Sequence, residues 1–366
     1  MKQECVLLVA TMLLTGCGST AASPPATLPV ASTVAGSATS APPANAVRPD
    51  EPWMVYQRFT NNGGFLLDLR LVRPDGAGDH PLLTERPGNQ THPDWSPDGT
   101  RIVYTVDETQ LWVANTDGTA ATKLPIDCSK PCVTVDDAAW SPDGQNIVFM
   151  REEAPPDKLA FDVVQAIHLA DNTVRTVYSS PPPQGAGHPR WAPDAKSIVL
   201  ELGRFDSAEA QTPSGSAVAT VDANNPSAPA VLLTDWSMFA AYPDWSWLND
   251  TIVFSTYDLG RRDAGGFTDP SPPSDLYTVK PDGTGLTQLT HNPSGTTLIR
   301  NKTASGPLST QPTWSPDGTT IIFVQVDGNT WPGWSMAAMA ADGSNLRSAF
   351  GSDFIVGTHP RLRPVP

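Results

Sequence analysis

From residue 51 onward the chain alternates short β-branched and aromatic runs with polar turns. One such stretch, HPDWSPDGTRIVYT from His92, keeps returning. Its further copies are DAAWSPDGQNIVFM from Asp137, HPRWAPDAKSIVLE from His188, YPDWSWLNDTIVFS from Tyr242 and QPTWSPDGTTIIFV from Gln311. Ser-Pro-Asp-Gly suits a tight turn, because Pro presets φ at the second position and Gly accepts the exit geometry. A second strand and turn follow in each copy, as in Asp275-Leu276-Tyr277-Thr278 with Pro281-Asp282-Gly283. A short last strand ends several copies, as in Ala121 to Leu124 and Leu286 to Thr290. Each unit therefore reads as four antiparallel strands, a to d, with a period of about 50 residues. Propeller blades run at roughly 40 to 50.

Trp95, Trp140, Trp191, Trp245 and Trp314 mark strand a of five units. A sixth copy, His359-Pro360-Arg361-Leu362-Arg363-Pro364, closes the chain with Leu362 in the Trp slot. Its strands b, c and d come from the start of the fold: Trp53 to Arg58, Phe65 to Val72 with Pro74-Asp75-Gly76, and Leu82-Leu83-Thr84. The prediction is an all-β, six-bladed β-propeller of four-stranded antiparallel blades. Pairing of the C-terminal strand with the N-terminal blade closes it and leaves no exposed sheet edge. The inter-blade Trp, burying roughly 150–250 Å², is the residue such radial packing requires.

HPDWSPDG, WSPDGQNIVF and DLYTVKPDGTGLTQLT resemble the TolB-type, WD-like β-propeller family across residues 51–366. The resemblance implies a protein-binding propeller with an envelope protein as partner. TolB-type chains carry an α/β domain ahead of the propeller; here residues 1–50 stand in that place.

Those first residues read differently from the rest. Met1 to Cys5 leads into the largely apolar run Val6 to Leu14 and then Thr15-Gly16-Cys17, too short for the roughly 20 residues of a membrane-spanning helix. Leu14-Thr15-Gly16-Cys17 resembles a bacterial lipobox, which makes 1–16 a lipoprotein signal peptide and Cys17 the lipidated residue. Residues 17–50, rich in Pro, Ala and Ser and almost uncharged, cannot bury enough apolar surface to fold and read as a tether. Fully extended, it would span roughly 100 Å at about 3.1 Å per residue. The localisation expected is export with lipid anchoring to a bacterial membrane, facing periplasm or exterior, the lipid being the only membrane contact. Cys128 and Cys132 are then left to form a disulfide.

The formal net charge of −15 argues against nucleic acid, whose non-specific binding relies on Lys and Arg at phosphates. Loop lengths separate the two faces of the ring. The a–b and c–d connections are tight turns. The long connections, Arg151 to Asp162, Gly203 to Gly215, Tyr257 to Ser274, Pro125 to Asp137, Pro181 to Gly187 and His291 to Thr310, all belong to the b–c and d–a class. Binding usually lives on such loops, and the tether enters from the opposite, plain face.

Three residues before each Trp slot lies the channel mouth on the elaborated face: His92, Asp137, His188, Tyr242, Gln311 and His359. His92, Asp137, His188 and His359 have the chemistry to hold a divalent metal, provided they converge to about 2.1 Å from one ion. Otherwise each imidazole bonds the neighbouring blade, and no cofactor is expected. Trp236, Phe239, Phe267, Trp331 and Trp334 in the long loops are candidates to stack on a sugar or anchor a partner. Glu152-Glu153 with Asp157, and Asp136-Asp137, read as a solvated acidic rim. Gly333-Trp334-Ser335-Met336-Ala337 approaches a nucleophile elbow, but its Ser opens a strand and lacks the helix that motif needs. The reading is a monomeric binding or scaffold module rather than an enzyme. A metal-assisted polysaccharide lyase and a carbohydrate-binding module are the alternatives.

Overall fold

The copies of Trp-Ser-Pro-Asp-Gly join the first two strands of five of the six four-stranded antiparallel sheets in the computed structural model. Residues 47, 51–60, 66–83, 88–156, 158–207, 213–256, 262–263, 266–267, 274–293, 308–326, 334–349 and 357–364 are described. The chain divides into units Met1–Pro42 and Pro43–Pro366. Signal, Cys17 and nearly all of the tether lie outside the described residues.

Blade 1 is Thr358–Leu362, Met54–Thr60, Leu66–Val72 and His80–Pro81, in that order across the sheet. Blades 2 to 6 begin with strands a at Gln90–Trp95, Cys132–Trp140, Gln184–Trp191, Ala240–Trp245 and Leu308–Trp314. Their strands b are Arg101–Val106, Asn146–Glu153, Ser197–Arg204, Ile252–Thr256 and Thr320–Val326. The closing pair is antiparallel, with Met54 opposite Leu362 and Val55 opposite Arg361. Several boundaries differ from the sequence reading. Strands a of blades 3 and 4 start at Cys132 and Gln184, which shortens the loops before them. Strand d of blade 1 is His80–Pro81, although the Leu82 N–H still donates to the Leu69 carbonyl.

The turn chemistry repeats in atomic detail. In blade 2 the Gly99 N–H donates to the Ser96 carbonyl, and the Thr100 N–H donates to the Asp98 carboxylate at 3.0 Å. The Ser96 hydroxyl donates to the same carboxylate at 2.5 Å. Ser141/Asp143 and Ser315/Asp317 build equal turns in blades 3 and 6. Gly99, Gly144 and Gly318 all have φ near +65°, which an L side chain rarely adopts.

Strand b explains why no blade is independent. Its central triplets, Ile102-Val103-Tyr104, Ile147-Val148-Phe149, Ile198-Val199-Leu200, Ile252-Val253-Phe254 and Ile321-Ile322-Phe323, are buried throughout. Successive side chains point to opposite faces, so the outer two of each triplet pack against the preceding blade and the middle one against the next. Ile147 and Phe149 join Val103 and Trp140 at the seam of blades 2 and 3, whereas Val148 joins Trp191 and Leu200 at the next seam. Six such clusters run round the ring, one per seam.

The seam of blades 1 and 2 is held by polar contacts as well. The Trp95 indole N–H donates to the Arg361 carbonyl at 2.9 Å, and Arg363 donates from Nε to the Gly99 carbonyl at 2.8 Å. The Arg363 guanidinium also lies 5.9 Å from the Trp95 ring centre. Arg363→Ala is expected to lower unfolding free energy by about 1.5–3 kcal/mol, the range for hydrogen bonds to a charged group. The exposed Lys280→Ala serves as control and should change it by less than about 0.5 kcal/mol. Denaturant titration of both variants checks this; equal effects would remove Arg363 from the closure.

Candidate functional site

Every strand a carries the same irregularity. Residues 92–93 face the single residue 104 of strand b, and the pairs 137–138, 188–189, 242–243, 311–312 and 359–360 do likewise. This is a β-bulge repeated six times. Its second residue is Pro in five blades, and Pro has no N–H to give a ladder. Its first residue has positive φ in all six: His92 47°, Asp137 56°, His188 51°, Tyr242 53°, Gln311 51° and His359 52°. Such backbone is costly for non-Gly residues and tends to sit at functional sites.

The predicted channel-mouth residues thus form a collar, and its members touch. The rings of His92 and His359 are 4.2 Å apart between centres, as are those of His188 and Tyr242, and Tyr242 reaches His359 at 6.0 Å. Acceptors from the preceding blade hold the strained backbone. The His92 N–H donates to Gln57 Oε1 at 3.1 Å, the His188 N–H to Asp137 Oδ2 at 3.2 Å and the His359 N–H to Gln311 Oε1 at 3.0 Å. The Gln311 amide lies 3.3 Å from His359 Nε2.

Two carboxylates that the sequence reading left out of the collar belong to it. His92 Nδ1 lies 2.7 Å from Asp136 Oδ1, and His188 Nδ1 lies 3.1 Å from Glu201 Oε2. Both imidazoles turn their Nε2 atoms to Asp137, at 3.4 Å from Oδ1 for His92 and 3.6 Å from Oδ2 for His188. Among the described residues, ligand atoms of His92, Asp136 and Asp137 lie within 4.8 Å of one another. Asp136-Asp137 is therefore no solvated rim: the bulge turns Asp137 inward, where it is 5% exposed. The signal for Glu201 was the acidic residue directly after the apolar triplet of strand b. Gln57 occupies the matching position in blade 1, and both accept from the next blade's collar N–H.

Burial opposes charge on His92, yet Asp136 and Asp137 outweigh it and raise its pKa to about 9. Burial alone would raise Asp137, but His188, His92 and Arg190 bring it down to about 2. His359 is held neutral by burial and by the neighbouring cations.

One layer below, next to the Trp slots, stand Asp94, Arg190, Asp244, Thr313 and Arg361, lining an axial cavity of about 70 Å³. That is room for a few waters, at roughly 10–15 Å³ each on this measure. Asp94 accepts the Trp140 N–H and Asp244 the Trp314 N–H, both at 2.8 Å. Arg361 approaches Asp94 at 3.8 Å and Arg190 approaches Asp244 at 3.9 Å. Trp247, the residue in place of the turn Pro, lines the same cavity.

The remaining candidates fall outside the collar. Cys128 and Cys132 are joined by a disulfide, Cα to Cα 5.0 Å, which ties the loop between blades 2 and 3 to the first residue of strand Cys132–Trp140. Trp236 lies in the 3-10 turn Trp236–Met238, packs on the seam of blades 3 and 4 and carries the Arg204 guanidinium 5.5 Å from its ring. Phe239 ends that turn with φ 49°. Phe267 belongs to the short strand Gly266–Phe267. Trp334 is not a loop residue, because it pairs with Val326 at the start of strand Trp334–Ala340. Trp331 and Asp157 lie outside the described residues. Glu153 is paired with Arg151 at 2.5 Å, so it is not part of a free acidic rim either.

No family model and no curated protein matches the sequence. Solved structures do resemble the fold. TolB from Acinetobacter baumannii is 17% identical with a TM-score of 0.58, over 86% of this chain and 66% of that one, so this chain spans just under two thirds of TolB. A chain of the nidogen/laminin complex is 9% identical with a TM-score of 0.56, over 85% of this chain and 98% of that one. An oligogalacturonate lyase in complex with manganese is 14% identical with a TM-score of 0.48, over 82% of this chain and 74% of that one.

The ionised collar has a pH signature. A folded pKa of about 9 for His92, above its usual 6.5, contributes stability that is complete below pH 6.5 and is lost as pH rises through 9. Asp137, lowered to about 2, contributes above pH 3.8 and loses its share as pH falls towards 2. The neutral, buried His359 acts against stability below pH 6.5, so the clean window is alkaline. In chelator-containing buffer, the melting temperature should fall from pH 7 to 9.5, and His92→Gln should flatten that fall. Parallel slopes in the two proteins would contradict the assignment.

The six four-stranded sheets and the likeness to TolB establish one thing about this chain: it has the six-bladed, TolB-like propeller fold.

Proposed function

We propose that the chain is an exported, lipid-anchored propeller that binds a protein partner of the cell envelope through the face carrying the b–c and d–a loops. The observation that carries this reading is a groove over blades 3 and 4 on that face. Two adjoining hollows of about 230 and 540 Å³ share Phe161 and Pro182 as lining. Leu159 stands at the groove 46% exposed, with Phe205 on its far side. Glu152 and Asp162 supply carboxylates at its base. Burial, with Glu152 nearby, raises Asp162 to about 6, although the Ala186 N–H donates to it at 2.8 Å. An apolar trough with ionised carboxylates suits a protein segment that places an apolar side chain beside Lys or Arg. On the opposite face the connections are mostly short turns, with residues 223–230 of blade 4 a longer one, and the signal and lipobox read at residues 1–17 support the anchored setting.

The collar's two imidazoles and a carboxylate favour one second reading, a metal-assisted polysaccharide lyase. Release of unsaturated sugar ends from an acidic polysaccharide, with divalent metal supplied, would support that reading.

Binding is tested by capture from envelope extract with immobilised protein, followed by titration of the captured partner. Leu159→Asp is expected to weaken binding at least tenfold with an unchanged melting temperature. Binding should also weaken as pH falls from 7.5 through 6, because protonating Asp162 removes the charge that a basic segment pairs with. Capture unaffected by both changes would place the partner elsewhere or sink the reading.

A further inference from the structure

We propose that the hollow lined by Phe161 and Phe205 is a pocket for a primary alkylammonium group, the side chain of a lysine in the partner segment, held between the carboxylates of Glu152 and Asp162. The partner rests on the groove reading above, whereas the chemistry of the pocket stands on its own geometry.

The two carboxylates come first. Glu152 and Asp162 are direct partners on neighbouring antiparallel strands of blade 3. Residues paired in this way share a face of the sheet, and like charges placed so are destabilising. No cation offsets them. Among the described residues, Glu152 makes no hydrogen bond or ion pair, and burial pushes its carboxyl up. Asp162 Oδ2 accepts the Ala186 N–H, which leaves Oδ1 without a donor. Lys158, the one basic residue lining either hollow among the described residues, is exposed and forms no ion pair.

The walls are the second observation. The hollow measures about 230 Å³, far more than a single ion needs when a water takes roughly 10–15 Å³ on this measure. Phe161, Phe205, Pro182 and Pro183 line it beside the two acids. Phe205 lies against bare backbone, because Gly185 and Gly203 are cross-strand partners beneath it. A Cβ at Gly185 would come within 3.0 Å of Asp162 Oδ2 and 3.3 Å of a Phe205 ring carbon. The glycine pair thus lets an aromatic ring and a carboxylate close on the same space.

Apolar walls over a negative floor call for a cation with an apolar stem. Calcium takes six to eight oxygens, and phenylalanine and proline side chains supply none. A guanidinium fork is best met by both oxygens of one carboxylate, and Asp162 has only Oδ1 to offer. An ammonium is a compact charge with three donors, able to take an oxygen from each acid while its methylenes lie on the rings. Aromatic faces attract such a cation further.

The test uses the whole purified protein, isotope-labelled, and follows backbone amide shifts during titration with acetyl-Ala-Ala-Lys-Ala-Ala-amide. Saturable shifts are expected at Phe161, Gly185 and Phe205. The same peptide with Arg for Lys should bind at least fivefold more weakly, and with norleucine at least tenfold. These comparisons need no variant to fold. Glu152→Gln and Asp162→Asn should each weaken the lysine peptide at least tenfold, while His168→Gln, at an exposed His bonded to Asp171, should leave it unchanged. No saturable shift, equal binding of the norleucine or Arg peptide, or indifference to Glu152→Gln would overturn the pocket. Capture abolished by Leu159→Asp beside an unbound lysine peptide would overturn the pocket and spare the groove reading. A bound lysine peptide with capture indifferent to Leu159→Asp would support the pocket and remove that reading.

Discussion

Burial of strand b on both faces is the constraint from which the rest of the molecule follows. In an ordinary one-sided sheet, polar residues on the outer face let the element stand against water. Here the Ile-Val-Tyr and Ile-Val-Phe triplets leave no polar face, so each blade needs two neighbours. A row of such sheets has two unsatisfied ends, and only a ring removes both. Pairing of Thr358–Leu362 with Met54–Thr60 completes blade 1, the blade that then meets blade 6 on one side and blade 2 on the other. Arg363 and the Trp95 indole add direction to contacts that hydrophobic packing alone would leave free to slide.

A closed ring brings six inner strands to one axis, and the bulge decides what they present there. Without the extra residue, position 92 and its counterparts would continue the pleat. With it, the positive-φ residue turns inward and its N–H leaves the ladder. That N–H then needs an acceptor, which Gln57, Asp137, Glu201 and Gln311 supply across the seams. Polar chemistry at the axis is therefore tied to the backbone irregularity, and the same carboxylates that relieve the strain set the orientation of the histidines.

Local chemistry made the fold readable. Pro-Asp-Gly turns, the Trp slot and the apolar triplets are contiguous in sequence and recur, so blade number and closure could be counted from them. The bulge was readable in principle too, since Pro within a strand implies one. What stayed hidden was lateral. Asp136 looked solvated because it opens a pair of adjacent acids, and only the turn at Asp137 places both beside His92. Glu201 lies 13 residues from His188 along the chain, and the loop aromatic Trp334 joined a strand because Val326 pairs with it. The first depends on which blade lies next to which, and a single repeat carries no trace of that; the other two are set by strand register within one blade, through Gly187 opposite Glu201 and Val326 opposite Trp334.

The two layers on the axis also differ in what they leave over. In the lower layer Arg361 faces Asp94 and Arg190 faces Asp244, while Trp140 and Trp314 donate to the same two carboxylates. Guanidinium groups cannot give up a proton to become ligands, and the carboxylates are engaged by donors from the next blade. Arg190 does feel the burial, which together with Arg361 lowers it to about 10 against the pull of Asp94 and Asp244, but it stays charged at neutral pH. That layer is committed to joining blades. In the collar the groups that face Asp137 are imidazoles, His92 at 3.4 Å and His188 at 3.6 Å, and an imidazole can give up its proton. The same fold thus closes one end of its axis with permanent charges and equips the other with exchangeable ones.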